Sequence, residues 1–220
     1  MILGSGCLGA RALNGEAIAE SLAATGLRRV LLVARPEAQP AGLAGLPACG
    51  VRAAWADRSR ARDLARAARA RRLVLEPSAG LPLEDACREL HALGRAHPGL
   101  ALAVTAAPAG PFADPDTLRL LLEDLASMRA GYWHRPGRAH RLGRPDSDWV
   151  QPLARWLVGV SLDDVTDSEE GLPPGLGQLD FRAVAEWSAR SLDVVIDVEP
   201  LADVRLLRFA VDALAAAGFA

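Results

Sequence analysis

Short apolar runs rich in valine, leucine and isoleucine alternate along this chain with longer stretches whose apolar positions recur at helical spacing. Brief continuous apolar runs suit strands buried on both faces, and their regular alternation with helices calls for a parallel sheet with crossover helices. Eight such units can be counted, with strands expected at Ile2 to Gly6, Arg29 to Val33, Val51 to Trp55, Leu73 to Glu76, Leu100 to Thr105, Ala130 to His134, Val158 to Leu162 and Val194 to Val198. The third run is the least apolar. Helices are expected over Glu16 to Thr25, with Asn14 as N-cap, and over Ala61 to Arg71, Glu84 to Ala96, Pro115 to Ala126, Trp149 to Arg155, Phe181 to Arg190 and Val204 to Ala217. Between the second and third strands, PEAQPAGLAGLPACG leaves room for a short helix or none.

The chain has 220 residues, half of them hydrophobic, which suits one domain with a substantial core. A formal charge of −2 argues against a global field for nucleic acid or membranes. Every basic residue apart from histidine is arginine. Without lysine there is no P-loop amine, no Schiff-base nucleophile and no lysine general base, roles a guanidinium cannot fill. Cys7, Cys49 and Cys87 are odd in number and widely spaced, which fits neither a disulfide framework nor a zinc site and points to a reducing cytoplasm. The start of the chain lacks the pattern of a signal peptide, and no long apolar span occurs.

Gly4, Gly6 and Gly9 spell G-x-G-x-x-G near the start, and Arg35 follows the second strand where a fold selective for NADP places a basic residue. That fingerprint requires its third glycine to open a helix, yet Asn14-Gly15 breaks the helical pattern just downstream. The competing reading makes these glycines part of the first strand end and loop of a barrel.

Three motifs in the second half carry more information: GYWHRPGRAH at 131–140, GVSLDDV at 159–165 followed by PPGLGQLDF at 173–181, and VVIDVEP at 194–200. In order and spacing they resemble the second half of a xylose isomerase-like TIM barrel, the superfamily of sugar phosphate isomerases and epimerases that also includes endonuclease IV. The resemblance implies a single compact (β/α)8 TIM barrel over residues 1–220, trimmed relative to the typical ~250 residues. It also implies a divalent metal held by carboxylates and histidines at the carboxyl ends of the strands, and a proton or hydride shift next to a carbonyl. Matched to that pattern, Thr105 stands at a family glutamate, Arg135 at a ligating aspartate, Arg138 at a nearby histidine, and Ser161 and Asp163 at histidines. Asp164 is kept, a further family histidine falls near Gly171, and Asp197 (or Glu199 after a slip of two) replaces a glutamate.

A catalytic divalent ion needs three or four N or O ligands, and an arginine in a ligand position repels it. The expectation is therefore no bound metal and no other cofactor. Arg135 should reach into the barrel mouth and pair with Asp197 or Asp163 in the old metal position. His134, Arg135, Arg138 and Asp163 are candidates for binding a small sugar-like or anionic ligand, and Glu76, Asp164 and Asp197 for acid–base work. Thr105 and Ser161 lack a paired histidine and are not read as nucleophiles. Trp133, Trp149, Trp156 and Trp187 are read mainly as packing residues, Trp133 also as a possible pocket wall. Two functional readings stay open. One is a metal-free barrel that binds a ligand or serves as a partner subunit, with another protein or in a homo-oligomer; the other is an active isomerase or epimerase that works without metal.

Overall fold

The computed structural model describes residues 7–10, 15–34, 48–188, 192–197 and 204–219. In chain order these form β1 (Cys7–Ala10), α1 (Gly15–Thr25), β2 (Arg29–Val33), β3 (Ala48–Ala54), α2 (Arg58–Ala67), β4 (Arg72–Glu76), α3 (Leu83–Ala96), β5 (Ala101–Val104), α4 (Pro115–Asp124), β6 (Gly131–His134), α5 (Pro136–Arg141), α6 (Asp146–Leu153), β7 (Leu157–Leu162), β8 (Asp164–Val165), β9 (Glu170–Leu172), α7 (Phe181–Ser188), β10 (Asp193–Ile196) and α8 (Val204–Leu214). Strands β1, β2, β3, β4, β5, β6, β7 and β10 close into one parallel barrel in sequence order, β10 pairing with β1. The short β8 and β9 form a separate antiparallel pair above it. This is the (β/α)8 TIM barrel expected from the alternating pattern. No described helix is long and apolar enough to cross a membrane.

Seven expected strands coincide with observed ones to within three residues at either end. The first does not: residues 2–6 lie outside the described residues, and the strand that closes the barrel is Cys7–Ala10. Gly9 therefore sits inside a strand rather than at a helix start, which removes the dinucleotide fingerprint; Gly4, Gly6, Asn14, Arg35 and Glu199 lie outside the described residues. So does most of the segment between β2 and β3. Helix α2 ends at Ala67 rather than Arg71, because the chain reverses through Arg69 in the left-handed region (φ 52°) to enter β4 at Arg72. The α5 helix and the β8–β9 pair were not foreseen. Both are short and fall in segments dominated by Gly, Pro and charged residues, where periodicity is silent.

The main core lies between the sheet and its helices, where outward residues such as Val30, Leu32, Leu73, Leu75, Val104, Tyr132, Val160 and Ile196 meet the apolar faces of the helices. The barrel interior is smaller, with Leu31, Val74, Ala103, Trp133 and Val195 forming its own cluster. Side chains alternate along a strand, so these five mark the inward set. Moving two residues toward the carboxyl end of β4, β5, β6 and β10 leads from Val74, Ala103, Trp133 and Val195 to Glu76, Thr105, Arg135 and Asp197. The ladder also extends past the strands: the N–H of Thr105 donates to the Leu75 carbonyl (3.1 Å) and that of Asp197 to the Leu162 carbonyl (3.0 Å).

Trp133 plugs the barrel. Its six-membered ring lies over Gly159, so close that a Cβ at 159 would fall within van der Waals overlap of ring carbons, and its indole N–H donates to Ser161 Oγ (2.9 Å). Trp149 is fully buried in the outer core and Trp187 packs at its margin, as their packing roles require. Gly159→Ala should lower the unfolding free energy by at least about 1–3 kcal/mol, because the added methyl must displace a buried indole. Gly99→Ala, with open space around its Cβ position, should change it by less than about 0.5 kcal/mol. Chemical denaturation of the two variants checks the contrast.

Candidate functional site

Above the Trp133 plug, at the carboxyl ends of the strands, a layer of buried charge fills the barrel mouth. Arg52 enters from the middle of β3, aligned with Val74 on β4 and thus inward. It pairs with Asp197 and donates to Ser161 Oγ (3.3 Å). Arg135, directly after β6, pairs with Glu76 (3.1 Å), Asp163 (3.2 Å) and Glu170 (3.0 Å). Arg138, one turn on in α5, pairs with Glu170 (3.1 Å) and Glu76 (3.5 Å) and donates to the Ala106 carbonyl (3.4 Å). Asp163 and Asp197 are fully buried and all three arginines nearly so. Beside this network opens a cavity of about 420 Å³, lined by Arg52, Asp57, Glu76, Arg135, Arg138 and Glu170 among others.

Three guanidinium groups face four carboxylates in this network, so full ionisation would leave an excess negative charge inside the barrel. Asp163 bears the consequence. Burial raises its pKa to about 6, Arg135 and Arg52 oppose that rise, and Asp197 and Glu170 reinforce it. For Arg135, burial works against the charged form, but the carboxylates of Asp163, Asp197, Glu170 and Glu76 prevail and push its pKa up. Asp163 is therefore the carboxylate of this layer that takes up a proton as pH falls through about 6, and above that the layer carries an excess negative charge. Among the described residues, Thr105 Oγ1, Arg135 Nε and Asp163 Oδ1 are buried without a hydrogen-bond partner.

Arg135 thus reaches the mouth as expected, and its aspartate is Asp163. Asp197 belongs instead to Arg52, a residue overlooked in the sequence. A lone arginine at an inward position in the small apolar stretch GVRAAW was the available signal. Thr105 and Ser161 are buried at the strand ends, with Ser161 held between the Trp133 indole and Arg52. Glu76, about a quarter exposed, faces the cavity while paired with Arg135 and Arg138.

Two candidates belong elsewhere. His134 sits one residue out of phase with the inward set and turns to the helix layer, where Tyr132 Oη lies 2.7 Å from Nδ1, Asp146 Oδ1 lies 2.8 Å from Nε2, and the Trp187 ring meets it edge-on. Both ring nitrogens are occupied, which removes it as a ligand-binding residue. Asp164 is likewise out of phase and accepts four backbone N–H groups, those of Val165 (2.9 Å), Gly175 (2.9 Å), Gly177 (2.8 Å) and Leu179 (3.0 Å). It is the anchor of the PPGLG loop and not an acid–base group. The loop needs glycine at 177, where a Cβ would overlap the Asp164 carboxylate. Among the described residues no group of three His, Cys, Asp or Glu side chains is arranged to hold a metal ion.

No protein-family model and no curated protein sequence matches the chain. Solved structures do match its fold. The probable 3-DHS dehydratase AsbF of Bacillus anthracis superposes with a TM-score of 0.72 at 10% identity, over 96% of this chain and 98% of the other. The 3-keto-D-glucoside 4-epimerase YcjR of E. coli gives 0.69 at 13% identity, over 97% and 98%. The IolI protein, solved with a bound zinc atom, gives 0.68 at 11% identity, over 97% and 96%. At such identities the likeness shows the fold alone, a single TIM barrel spanning nearly the whole chain.

Arg135→Ala should lower the unfolding free energy at pH 7.5 by about 3–5 kcal/mol, since it strands buried carboxylates, and adding Asp163→Ala should restore part of the loss. Denaturant titration of the two variants measures the coupling, and strict additivity with Asp163→Ala alone would mean none. The folded-state pKa of Asp163 lies above its unfolded value of 3.8. The native state therefore holds that proton more tightly, and the associated stability is complete below about pH 4 and lost as pH rises through about 6. The stability of the parent protein relative to Asp163→Asn should fall by about 2–3 kcal/mol between pH 4 and pH 7. A difference that stays flat over this range would place the proton elsewhere.

Proposed function

We propose that this protein is a metal-free representative of the sugar isomerase and epimerase fold, whose barrel mouth binds a small, neutral, polyhydroxylated ligand. The observation that carries this reading is the Arg52–Asp197 and Arg135–Asp163 pairing at the strand ends. A divalent cation would have to displace two fixed guanidinium groups from the carboxylates it needs, so the residues present do not fit it. The choice of a neutral ligand follows from the same charges. The arginines at the mouth are matched by carboxylates, which leaves no excess positive charge to draw an anion. The cavity wall instead offers fixed donors and acceptors on Glu76, Arg138 and Glu170, suited to hydroxyl groups. This favours the sugar-like arm of the expected ligand class over the anionic one.

The rival reading, an isomerase or epimerase using acid–base groups without metal, rests on Glu76 at the cavity wall and on Asp163 with its raised pKa. Glu76 is engaged by two arginines and Asp163 is closed off from the cavity by Arg135, so binding is the stronger reading. A role as a partner subunit is compatible with either.

Elemental analysis of the purified protein after gel filtration should find less than about 0.1 equivalent of Mn, Mg, Zn or Co per chain; one retained equivalent would defeat the metal-free reading. Calorimetric titration with neutral pentoses and hexoses should show saturable binding that Glu76→Gln weakens by about tenfold or more. Exchange of a carbon-bound proton of the bound sugar into deuterated water would decide for turnover.

A further inference from the structure

The opposite end of the barrel carries a second cavity of about 280 Å³, walled at the starts of β2, β3, β4, β5 and β10 by Arg29, Arg69, Arg71, Arg72 and Asp193 together with small residues. The charge balance there is the reverse of that at the mouth. Four guanidinium groups face one carboxylate, in a chain whose overall charge is −2. Asp193 is already shared, pairing with Arg29 (2.9 Å) and with Arg72. Arg72 also donates to the Val158 carbonyl (3.3 Å) and lies over the underside of the Trp133 ring, so its head group is fixed in the barrel floor. Arg69 and Arg71 are exposed and have no carboxylate partner among the described residues.

The backbone adds an independent observation. Arg69 stands in the left-handed region (φ 52°), where a non-glycine residue is unfavourable and glycine is the usual occupant after a helix. The turn is held by hydrogen bonds from Arg69 N–H to the Arg66 carbonyl (3.2 Å), Ala70 N–H to the Ala65 carbonyl (2.8 Å) and Ala101 N–H to the Arg71 carbonyl (2.9 Å). Arg129 takes the same conformation (φ 54°) in the turn before β6; at Arg69 it sets the side chain at the cavity rim.

We infer that this floor cavity is a binding site for a phosphoryl group on a small molecule. Arg69 and Arg71 place two positive charges without a carboxylate partner among the described residues beside the fixed Arg72, and a bound oxyanion relieves their mutual repulsion across the concave surface. A dianion does so better than a single carboxylate, and arginine forks match phosphate oxygens two at a time. The volume is below the usual range for whole drug-sized ligands, which suits a phosphoryl group with a small body attached.

The test is calorimetric titration of the full chain with inorganic phosphate, pyrophosphate and a pentose phosphate, in the parent protein, in the double variant Arg69→Gly/Arg71→Ala and in the mouth variant Arg138→Ala. The double variant should weaken binding of the anions by about tenfold or more. Its melting temperature should be unchanged or higher, because glycine relaxes the left-handed turn. Arg138→Ala should leave the anion affinity as it is. Binding by inorganic phosphate or pyrophosphate alone would identify the free anion as the ligand, and tighter binding of the pentose phosphate would identify a phosphorylated metabolite. Absence of binding at millimolar concentration, equal binding by parent and double variant, or loss of binding in Arg138→Ala alone would overturn the inference. So would binding of a long polyanion with which pyrophosphate does not compete.

Discussion

An ionised carboxylate inside a barrel is tolerable only with an opposite charge in contact, and this requirement organises the upper half of the molecule. Asp163 and Asp197 are fully buried at neighbouring strand ends, each in contact with an arginine from a different strand. Arg52 crosses from β3 to Asp197, and Arg135 reaches from the end of β6 to Asp163 while also engaging Glu76 and Glu170. The Arg52–Asp197 pair reaches across the barrel from β3 to the end of β10, while Arg135–Asp163 joins the adjacent ends of β6 and β7. Desolvation makes such a network a doubtful source of net stability, but it makes every member expensive to remove alone. Carboxylates outnumber arginines by one in this layer, and the strain of that surplus appears as the raised pKa of the buried Asp163.

Trp133 divides the interior into two chemically different ends. Its indole N–H is held from above by Ser161, its ring rests on Gly159, and Arg72 lies beneath it. Toward the carboxyl ends of the strands carboxylates outnumber the arginines they pair with; toward the amino ends arginine is in excess among the residues lining the floor cavity. A ring that fills the barrel cross-section keeps the two sets apart, so each end can be neutral or charged independently of the other. The unusual lack of lysine suits both ends, since a planar guanidinium can satisfy several carboxylate oxygens at once or accept a phosphoryl group edge-on.

The fold was legible because parallel strands buried on both faces leave a strong signature of short apolar runs, and because eight of them alternate with helical stretches. Strand β2 coincides with its expected bounds, and α1, α3 and α7 to within two residues. The limits appear where periodicity carries no information. The described part of β1, Cys7–Ala10, lies in the glycine-rich start of the chain, where the apolar run is short, and α2 stops at the Arg69 reversal, which arginine does not advertise as glycine would.

For the site, sequence alone determined which residue types stand at the strand ends: Glu76, Thr105, Arg135, Ser161, Asp163 and Asp197 are all inward, and the period of two along each strand is enough to place them there. The same period rules out His134 and Asp164, each one position out of phase with its inward neighbours. What only the tertiary structure decided is who meets whom. The pairing of Arg52 with Asp197 joins residues 145 positions apart, and nothing local in GVRAAW or VVIDVEP specifies it. The anchoring of the PPGLG loop by Asp164 and the gathering of Arg29, Arg69, Arg71 and Arg72 around one floor cavity are likewise products of barrel closure. Alternation along a strand is a local property of the backbone, whereas contact between strand ends depends on register, shear and closure, which no single segment contains.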